Sequence, residues 1–217
     1  MHADSPHVCV RSWDRVRYDA ILFDFDGVLV DSEPVHFECW QEILREFDLN
    51  LDWKTYRDHG IGISDRDLMA LVCKRANRAD EVERLIAEYP RKKDMFRDKM
   101  LARPVFSNEV MQLLADLRAY RLAVVTSSGQ SEVEPLLQQA GIRELFGTVV
   151  YGGDVKRLKP APDPYLLAVE RLGVTNALVV EDSDAGESSA RAAGLDVLRV
   201  REASRMPQLL RARIGLR

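Results

Sequence analysis

The sequence predicts an α/β fold in which a parallel-sheet core carries an inserted all-helical cap. Three observations lead to this prediction. Short β-type runs are apolar throughout rather than alternating, as expected for strands that are buried on both faces of a parallel sheet. Helical patterns separate these runs, which is typical of an open α/β sheet with right-handed crossovers. One long interval contains helical patterns only, and this interval predicts the insertion.

Each β-type run ends at small or acidic residues. The runs are AILFDFDG at 20–27, LAVVTSSG at 122–129, TVVYGGD at 148–154 and ALVVEDSD at 177–184, with a weaker fifth, VLRV, at 197–200. Between them, apolar residues recur at helical spacing after Ser107, before Gly141 and between Pro164 and Gly173. Serine is a preferred N-cap and glycine a preferred end of a helix, so these positions predict helix boundaries.

The interval from Gly27 to Leu122 is too long for one crossover helix, which needs only a few tens of residues. Its apolar residues recur at helical spacing and no strand-like run interrupts them. We therefore predict an all-helical cap at 32–103, inserted into a core made of 18–31 and 104–217. Both ends of the cap are close to the first strand, so we expect the cap to cover the carboxyl end of that strand.

The composition argues against several classes of protein. The 217 residues contain 31 Lys and Arg against 35 Asp and Glu, a net charge of −4, so no overall basic field favours nucleic acid or an anionic membrane. The longest apolar run, 68–73, is too short to span a bilayer, and 1–17 is a polar lead-in without a signal-peptide core. Cys9, Cys39 and Cys73 form no CxxC pair, which favours a reducing compartment over a disulfide framework or a zinc site. We expect a cytoplasmic monomer.

Polar residues follow the predicted strands at the edge where parallel sheets bind ligands. They are Asp24 and Asp26 after the first strand, Thr126 and Ser127 after the second, Lys159 in the loop after the third, and Glu181 and Asp182 at the fourth. Four carboxylates against one lysine leave an excess of about three negative charges, which is costly in a partly desolvated crevice. A divalent cation is the simplest compensation, and oxygen ligands without histidine or thiol favour Mg²⁺ over zinc.

Four segments in this order closely resemble the signature motifs of the haloacid dehalogenase superfamily. They are DFDGVLVDSE, VVTSS, LKPAPDPY and VVEDSDAGESSARAAG. The helical insertion after the first motif is similar to the cap of the branch that contains β-phosphoglucomutase and phosphoglycolate phosphatase. The resemblance covers nearly all of residues 18–200 and implies a Rossmann-like core. One such motif is a weak signal, whereas four in order on predicted strand ends are a strong one.

The resemblance implies a catalytic role for Asp24 and Asp26, and we expect Thr126, Ser127 and Lys159 to bind the substrate phosphate. Asp24 corresponds to the nucleophile that becomes an aspartyl phosphate, and Asp26 to the acid/base that protonates the leaving oxygen and later activates water. Thr126 and Lys159 correspond to the groups that bind phosphoryl oxygens and neutralise developing charge, with Ser127 beside them. Taken singly, each could be a turn residue, a strand end or a solvated lysine.

The resemblance also implies how Mg²⁺ is bound. Its ligands would be the carboxylates of Asp24 and Asp182 and the backbone carbonyl of Asp26, with Glu181 in support. Ser32 lies outside this set, and we expect it only to cap the first helix of the cap.

Within the cap, His36, Arg66 and Lys92 are candidate substrate contacts. His36 falls where relatives carry a histidine beside the acid/base, and it could equally be a packed histidine on the stripe of Trp40. Lys92 lies near a substrate-facing lysine of the mutase, although a charged helix face is the commoner meaning of such a run. Asp65 occupies the position of the mutase's phosphate-binding arginine, and Arg66, one residue later, is rotated by about 100° around the helix.

The leading hypothesis is a Mg²⁺-dependent phosphatase that acts on a small phosphorylated metabolite such as a sugar phosphate or phosphoglycolate. The alternative is a β-phosphoglucomutase-like phosphomutase, which Asp65 disfavours because it would repel a second phosphate. A remote alternative is a phosphorylated signalling switch, but there the acidic pair precedes the phosphorylated aspartate and no long helical cap is present. Dehalogenation is disfavoured because dehalogenases of this superfamily lack the second aspartate, here Asp26. The sequence does not specify the substrate.

Overall fold

The computed structural model describes residues 18–61 and 63–216, so the lead-in at 1–17, with Cys9, lies outside the described residues. The strands are β1 (Ala20–Phe23), β2 (Arg121–Val125), β3 (Thr148–Val150), β4 (Ala177–Glu181) and β5 (Asp196–Arg199). They form one parallel sheet in the order β3-β2-β1-β4-β5. The predicted α/β fold is confirmed. Strand β3 is shorter than the run at 148–154 because a 3₁₀ turn begins at Gly152.

The helices alternate with the strands as predicted, apart from the long insertion. They are α1 (Glu33–Glu46), α2 (Trp53–His59), α3 (Asp65–Arg75), α4 (Val82–Ile86), α5 (Tyr89–Leu101), α6 (Asn108–Asp116), α7 (Gln130–Gln139), α8 (Asp163–Leu172), α9 (Asp184–Ala192) and α10 (Met206–Ile214). Within the described ranges, no helix is long and apolar enough to cross a membrane.

The two faces of the sheet explain the continuous apolar runs. Ile21 and Phe23 of β1 belong to one apolar cluster with residues of α6, α7 and α10, whereas Ala20 and Leu22 belong to a second cluster with residues of α8 and α9. All four β1 side chains are fully buried. Because successive side chains of a strand point to opposite faces, a strand covered by helices on both sides must be apolar at every position.

Helices α1 to α5 follow β1 without an intervening strand in the described residues. They share a third apolar cluster, which includes Trp40, Leu44, Met69 and Leu85. This cluster gives most of the insertion a core of its own, whereas the buried Phe96 and Met100 of α5 belong to the cluster that contains Ile21 and Phe23. The cap limits at 32–103 stay a prediction. Pro90 lies in the first turn of α5, where its missing N–H leaves no helical hydrogen bond unmade.

Candidate active site

The loop after β1 carries the two aspartates of the first motif. Asp24 follows the last residue of β1 directly, and its side chain is almost buried. Gly27 has a φ of +73° and donates its N–H to the Val30 carbonyl at 2.8 Å, which closes a tight turn after Asp26. A Cβ atom on Gly27 would lie 2.1 Å from Oδ2 of Asp182. Glycine is therefore required here both for the left-handed backbone and for the close approach of the fourth-motif carboxylate.

Lys159 connects the carboxyl ends of the three central strands. Its Nζ donates to Asp24 Oδ1 at 2.8 Å, to Glu181 Oε1 at 2.6 Å and to the Val125 carbonyl at 2.9 Å. The side chain is only 6 % exposed. An ammonium has three donors, and all three are used by groups that follow or end β1, β2 and β4.

Glu181 is completely buried and makes five hydrogen bonds. Besides Lys159, Oε1 accepts from the Tyr165 hydroxyl at 2.8 Å, and Oε2 accepts from the N–H groups of Asp182 and Ser183 at 3.0 and 3.1 Å and from the Ser183 hydroxyl at 3.1 Å. Burial acts to raise the pKa of Glu181, but Lys159 and these donors outweigh it and hold the pKa below its usual value. Glu181 is therefore a charged anchor that positions Lys159.

Two serine hydroxyls bind the carboxylate of Asp26. The Ser32 hydroxyl donates to Oδ1 at 2.6 Å, and the Ser128 hydroxyl donates to Oδ2 at 2.9 Å. This corrects the expectation that Ser32 only caps α1, since its side chain makes no cap hydrogen bond. The turn that pairs Asp26 with Val30 brings Ser32 back over the aspartate. Neither contact with Asp26 was predicted from the sequence, although Ser32 and Ser128 each lie within a quoted motif.

Three carboxylates gather near Lys159. Oxygen atoms of Asp24, Glu181 and Asp182 lie within 4.8 Å of one another. Burial, with the charge of Glu181 added and Lys159 opposing, raises the pKa of Asp24 to about 8 and that of Asp182 to about 6. One lysine is thus too little positive charge to keep all three carboxyl groups ionised, and a bound divalent cation would favour their ionised form. Hard oxygen donors with excess negative charge fit Mg²⁺.

The cap candidates His36 and Lys92 lie in a packed polar network. The Lys92 ammonium, which can only donate, binds Nδ1 of His36 at 2.7 Å, and the imidazole stacks on Phe96 with ring centres 4.1 Å apart. Burial and the Lys92 charge lower the pKa of His36 to about 4, so its ring is neutral at physiological pH. Lys92 is 4 % exposed and lies 3.6 Å from Asp65, which also accepts from the Trp40 indole. The charged-face interpretation of Lys92 is therefore wrong.

A cavity of about 700 Å³ opens over the carboxyl ends of the strands. It is lined by Asp24, Asp26, Glu33, Ile61, Thr126, Ser127, Ser128, Lys159, Asp182, Ser183, Asp184, Ala185 and Arg199. The core residues predicted from the sequence therefore meet here, except Glu181, which lies beneath them. None of the three cap candidates, His36, Arg66 and Lys92, is among the described residues of the cavity lining. Arg66 instead pairs with Glu83 at 2.5 and 3.1 Å. Glu33 and Arg199 also line the cavity and were not predicted from their positions in the sequence.

Comparison with known proteins gives consistent matches. The family model for haloacid dehalogenase-like hydrolases matches residues 21–200. Fructose-1-phosphate phosphatase YqaB of Escherichia coli is 35 % identical over 85 % of this chain and 97 % of its own length. Beta-phosphoglucomutase of Bacillus subtilis is 25 % identical over 81 % of this chain and 80 % of its own. The crystal structure of CbbY from Rhodobacter sphaeroides in complex with phosphate is 27 % identical, with a TM-score of 0.64, and the match covers 83 % of this chain and 85 % of that one.

Proposed function

Because this chain belongs to the haloacid dehalogenase-like hydrolase family, we propose that it is a Mg²⁺-dependent phosphatase of small sugar phosphates. The relatives named as phosphatases support hydrolysis of phosphoric monoesters as the class of reaction. The observation that carries the proposal is the meeting of Asp24, Asp26 and Lys159 at one cavity. A nucleophile, an acid/base and a cation within one cavity are the groups that phosphoryl transfer requires.

The proposed first step joins the substrate to Asp24. A carboxylate oxygen of Asp24 attacks phosphorus while the bond from phosphorus to the ester oxygen breaks. Asp26 gives a proton to the departing oxygen, and an aspartyl phosphate remains on the enzyme. The Ser32 and Ser128 hydroxyls hold the Asp26 carboxyl group between them during this transfer. The product leaves as a free alcohol.

Water completes the cycle in the proposed second step. Asp26 takes a proton from the water molecule that attacks phosphorus, and the bond from phosphorus to the Asp24 oxygen breaks. Lys159 neutralises charge that develops on the phosphoryl oxygens. The Thr126 hydroxyl accepts from the Ser128 N–H at 3.0 Å and donates to no residue of the described ranges, so its proton is available for a phosphoryl oxygen. Ser127 lines the cavity next to it.

Metal binding is part of the same proposal. Asp24, Asp182 and the backbone carbonyl of Asp26 would hold Mg²⁺, and Glu181 supports the site through Lys159. When bound, Mg²⁺ supplies positive charge that lets a carboxylate and a phosphate dianion approach each other.

The pairing of Lys92 and Arg66 within the cap supports a phosphatase over a phosphomutase. A mutase must bind the far phosphate of a bisphosphorylated sugar, and such an anchor requires an available cation. Here Lys92 is engaged by His36 and Asp65, and Arg66 is engaged by Glu83. Without that anchor, we expect water rather than a returning intermediate to take the phosphoryl group.

A ³¹P NMR time course tests this choice. β-Glucose 1-phosphate, with Mg²⁺ and a bisphosphate primer, should yield inorganic phosphate and little glucose 6-phosphate. Faster appearance of the 6-phosphate than of inorganic phosphate would establish the mutase instead. A parallel screen of phosphate release from phosphorylated metabolites tests the phosphatase itself.

We further propose that the enzyme acts in the cytoplasm as a monomer. Cys39 and Cys73 are buried free thiols, which suits a reducing compartment. Size-exclusion chromatography with light scattering would test the oligomeric state.

A further inference from the structure

The cap contributes one acidic side chain to the cavity lining. Glu33, the first residue of α1, lines the cavity together with Ile61 of the cap and the catalytic aspartates of the core. Its Oε2 accepts the Tyr56 hydroxyl at 2.5 Å, and Tyr56 is 4 % exposed. Its Oε1 receives no hydrogen bond from any residue of the described ranges 18–61 and 63–216, so this oxygen is available to a ligand in the cavity.

The cations of the described cavity lining, Lys159 and Arg199, are already paired, and Lys159 donates to Asp24 at 2.8 Å and to Glu181 at 2.6 Å. Arg199 lines the cavity but binds Asp184 at 3.1 Å and Glu187 at 3.2 Å. In the cap, Lys92 donates to His36 at 2.7 Å. A second anionic group on a substrate would therefore meet the Glu33 carboxylate without a free cation among the described residues of the lining to compensate it. Like charges in a partly desolvated cavity repel strongly.

We propose that Glu33, held in position by Tyr56, selects substrates whose leaving group carries hydroxyls and rejects those that carry a second anion. This inference rests on the proposed phosphatase function and specifies its substrate class as monophosphorylated polyols. A carboxylate oxygen accepts hydrogen bonds from sugar hydroxyls, and these bonds are stronger than those between neutral groups. The same oxygen disfavours a carboxylate or second phosphate at that point. Recognition and rejection would thus come from one side chain.

The test compares two substrates that differ in this respect. Phosphate release is measured with fructose 1-phosphate, which carries hydroxyls, and with phosphoglycolate, which carries a carboxylate. The quantity is the ratio of kcat/KM for the first substrate to kcat/KM for the second. We expect Glu33→Gln to lower this ratio at least about fivefold, because the amide loses the charge that favours one substrate and repels the other. A fall of less than fivefold would overturn the inference.

Glu46→Gln is the matched control, since Glu46 is the last residue of the same helix and pairs with Arg91 on the surface at 2.5 Å. The ratio of the two kcat/KM values for Glu46→Gln should stay within twofold of the ratio for the original protein. If this ratio fell as much as it does for Glu33→Gln, the assignment of the selectivity to Glu33 would be overturned. Tyr56→Phe is the second test if Glu33→Gln fails to fold. It keeps the buried ring and removes only the hydroxyl that positions Glu33, so it should also lower the ratio of the two kcat/KM values. An unmodified enzyme that hydrolyses no phosphate ester would instead overturn the proposed function. An active enzyme with an unchanged ratio in both variants would overturn this inference alone.

Discussion

Gly186 lies against the carboxyl group of Glu181, which positions Lys159. Gly186→Ala therefore tests whether Glu181 has this role. A Cβ atom on Gly186 would lie 1.7 Å from Oε1 and 1.9 Å from Cδ of Glu181, so the carboxyl group would have to move by more than 1 Å. Helix propensity alone favours alanine by about 1 kcal/mol. Breaking a buried ion pair such as that between Glu181 and Lys159 costs about 3 to 5 kcal/mol. We therefore expect a net loss of about 2 to 4 kcal/mol in the free energy of unfolding.

Urea unfolding measures this loss, and phosphate release should fall in parallel because Lys159 loses its position. Gly153→Ala is the control, since a Cβ atom there would meet nothing within 4 Å. Its unfolding free energy should change by no more than about 0.5 kcal/mol. If Gly186→Ala were as stable as the original protein or more so, helix propensity would outweigh the packing and the anchoring role of Glu181 would be wrong.

Four further measurements address the rest of the site. Ser32→Ala combined with Ser128→Ala should lower kcat about a hundredfold with a smaller change in KM, at about 1.4 kcal/mol for each lost hydrogen bond; an unchanged kcat would show that neither serine positions the acid/base. EDTA should abolish phosphate release, Mg²⁺ should restore it and Ca²⁺ should do so poorly, whereas full activity after chelation would exclude the metal. In EDTA, the free energy of unfolding should fall as the pH rises from 7 to 8. The reason is that folded Asp24, with a pKa of about 8, still binds a proton that the unfolded chain has lost. A rise in the free energy of unfolding over this interval would contradict the raised pKa of Asp24. Arg66→Ala should leave kcat/KM within twofold of the value for the original protein, since this side chain pairs with Glu83. A larger loss would show that Arg66 contacts the substrate.

The core site could be predicted because parallel strands bring their carboxyl ends to one edge. Asp24 and Glu181 each lie at a buried strand end, so their proximity follows from the strand order and the parallel direction alone. Lys159 was predicted as a member of the site because it follows a third strand in a recognisable motif. Its three hydrogen-bond partners depend on the path of the loop, which no periodicity encodes.

Two parts of the site could not be predicted because they depend on tertiary packing. These are the contacts of the two serines with Asp26 and the contacts of Lys92 with His36 and Asp65. Ser32 precedes a helix, and its position alone indicates a cap; the turn at Asp26 and Val30 is what redirects its hydroxyl. In the run Arg91, Lys92 and Lys93, each residue has a similar propensity to be exposed. The packing of α5 against α1 buries the middle one against His36, which is 56 residues earlier in the chain.

The central claim is that Asp24 is the nucleophile of a phosphatase, and its most direct test is phosphate release by Asp24→Asn. The measurement uses fructose 1-phosphate with saturating Mg²⁺, and circular dichroism verifies that the variant is folded. An amide cannot form the aspartyl phosphate, so we expect turnover to fall by more than about a thousandfold, a loss of about 4 kcal/mol in transition-state stabilisation. Turnover retained within about tenfold of the original enzyme would contradict covalent catalysis by Asp24.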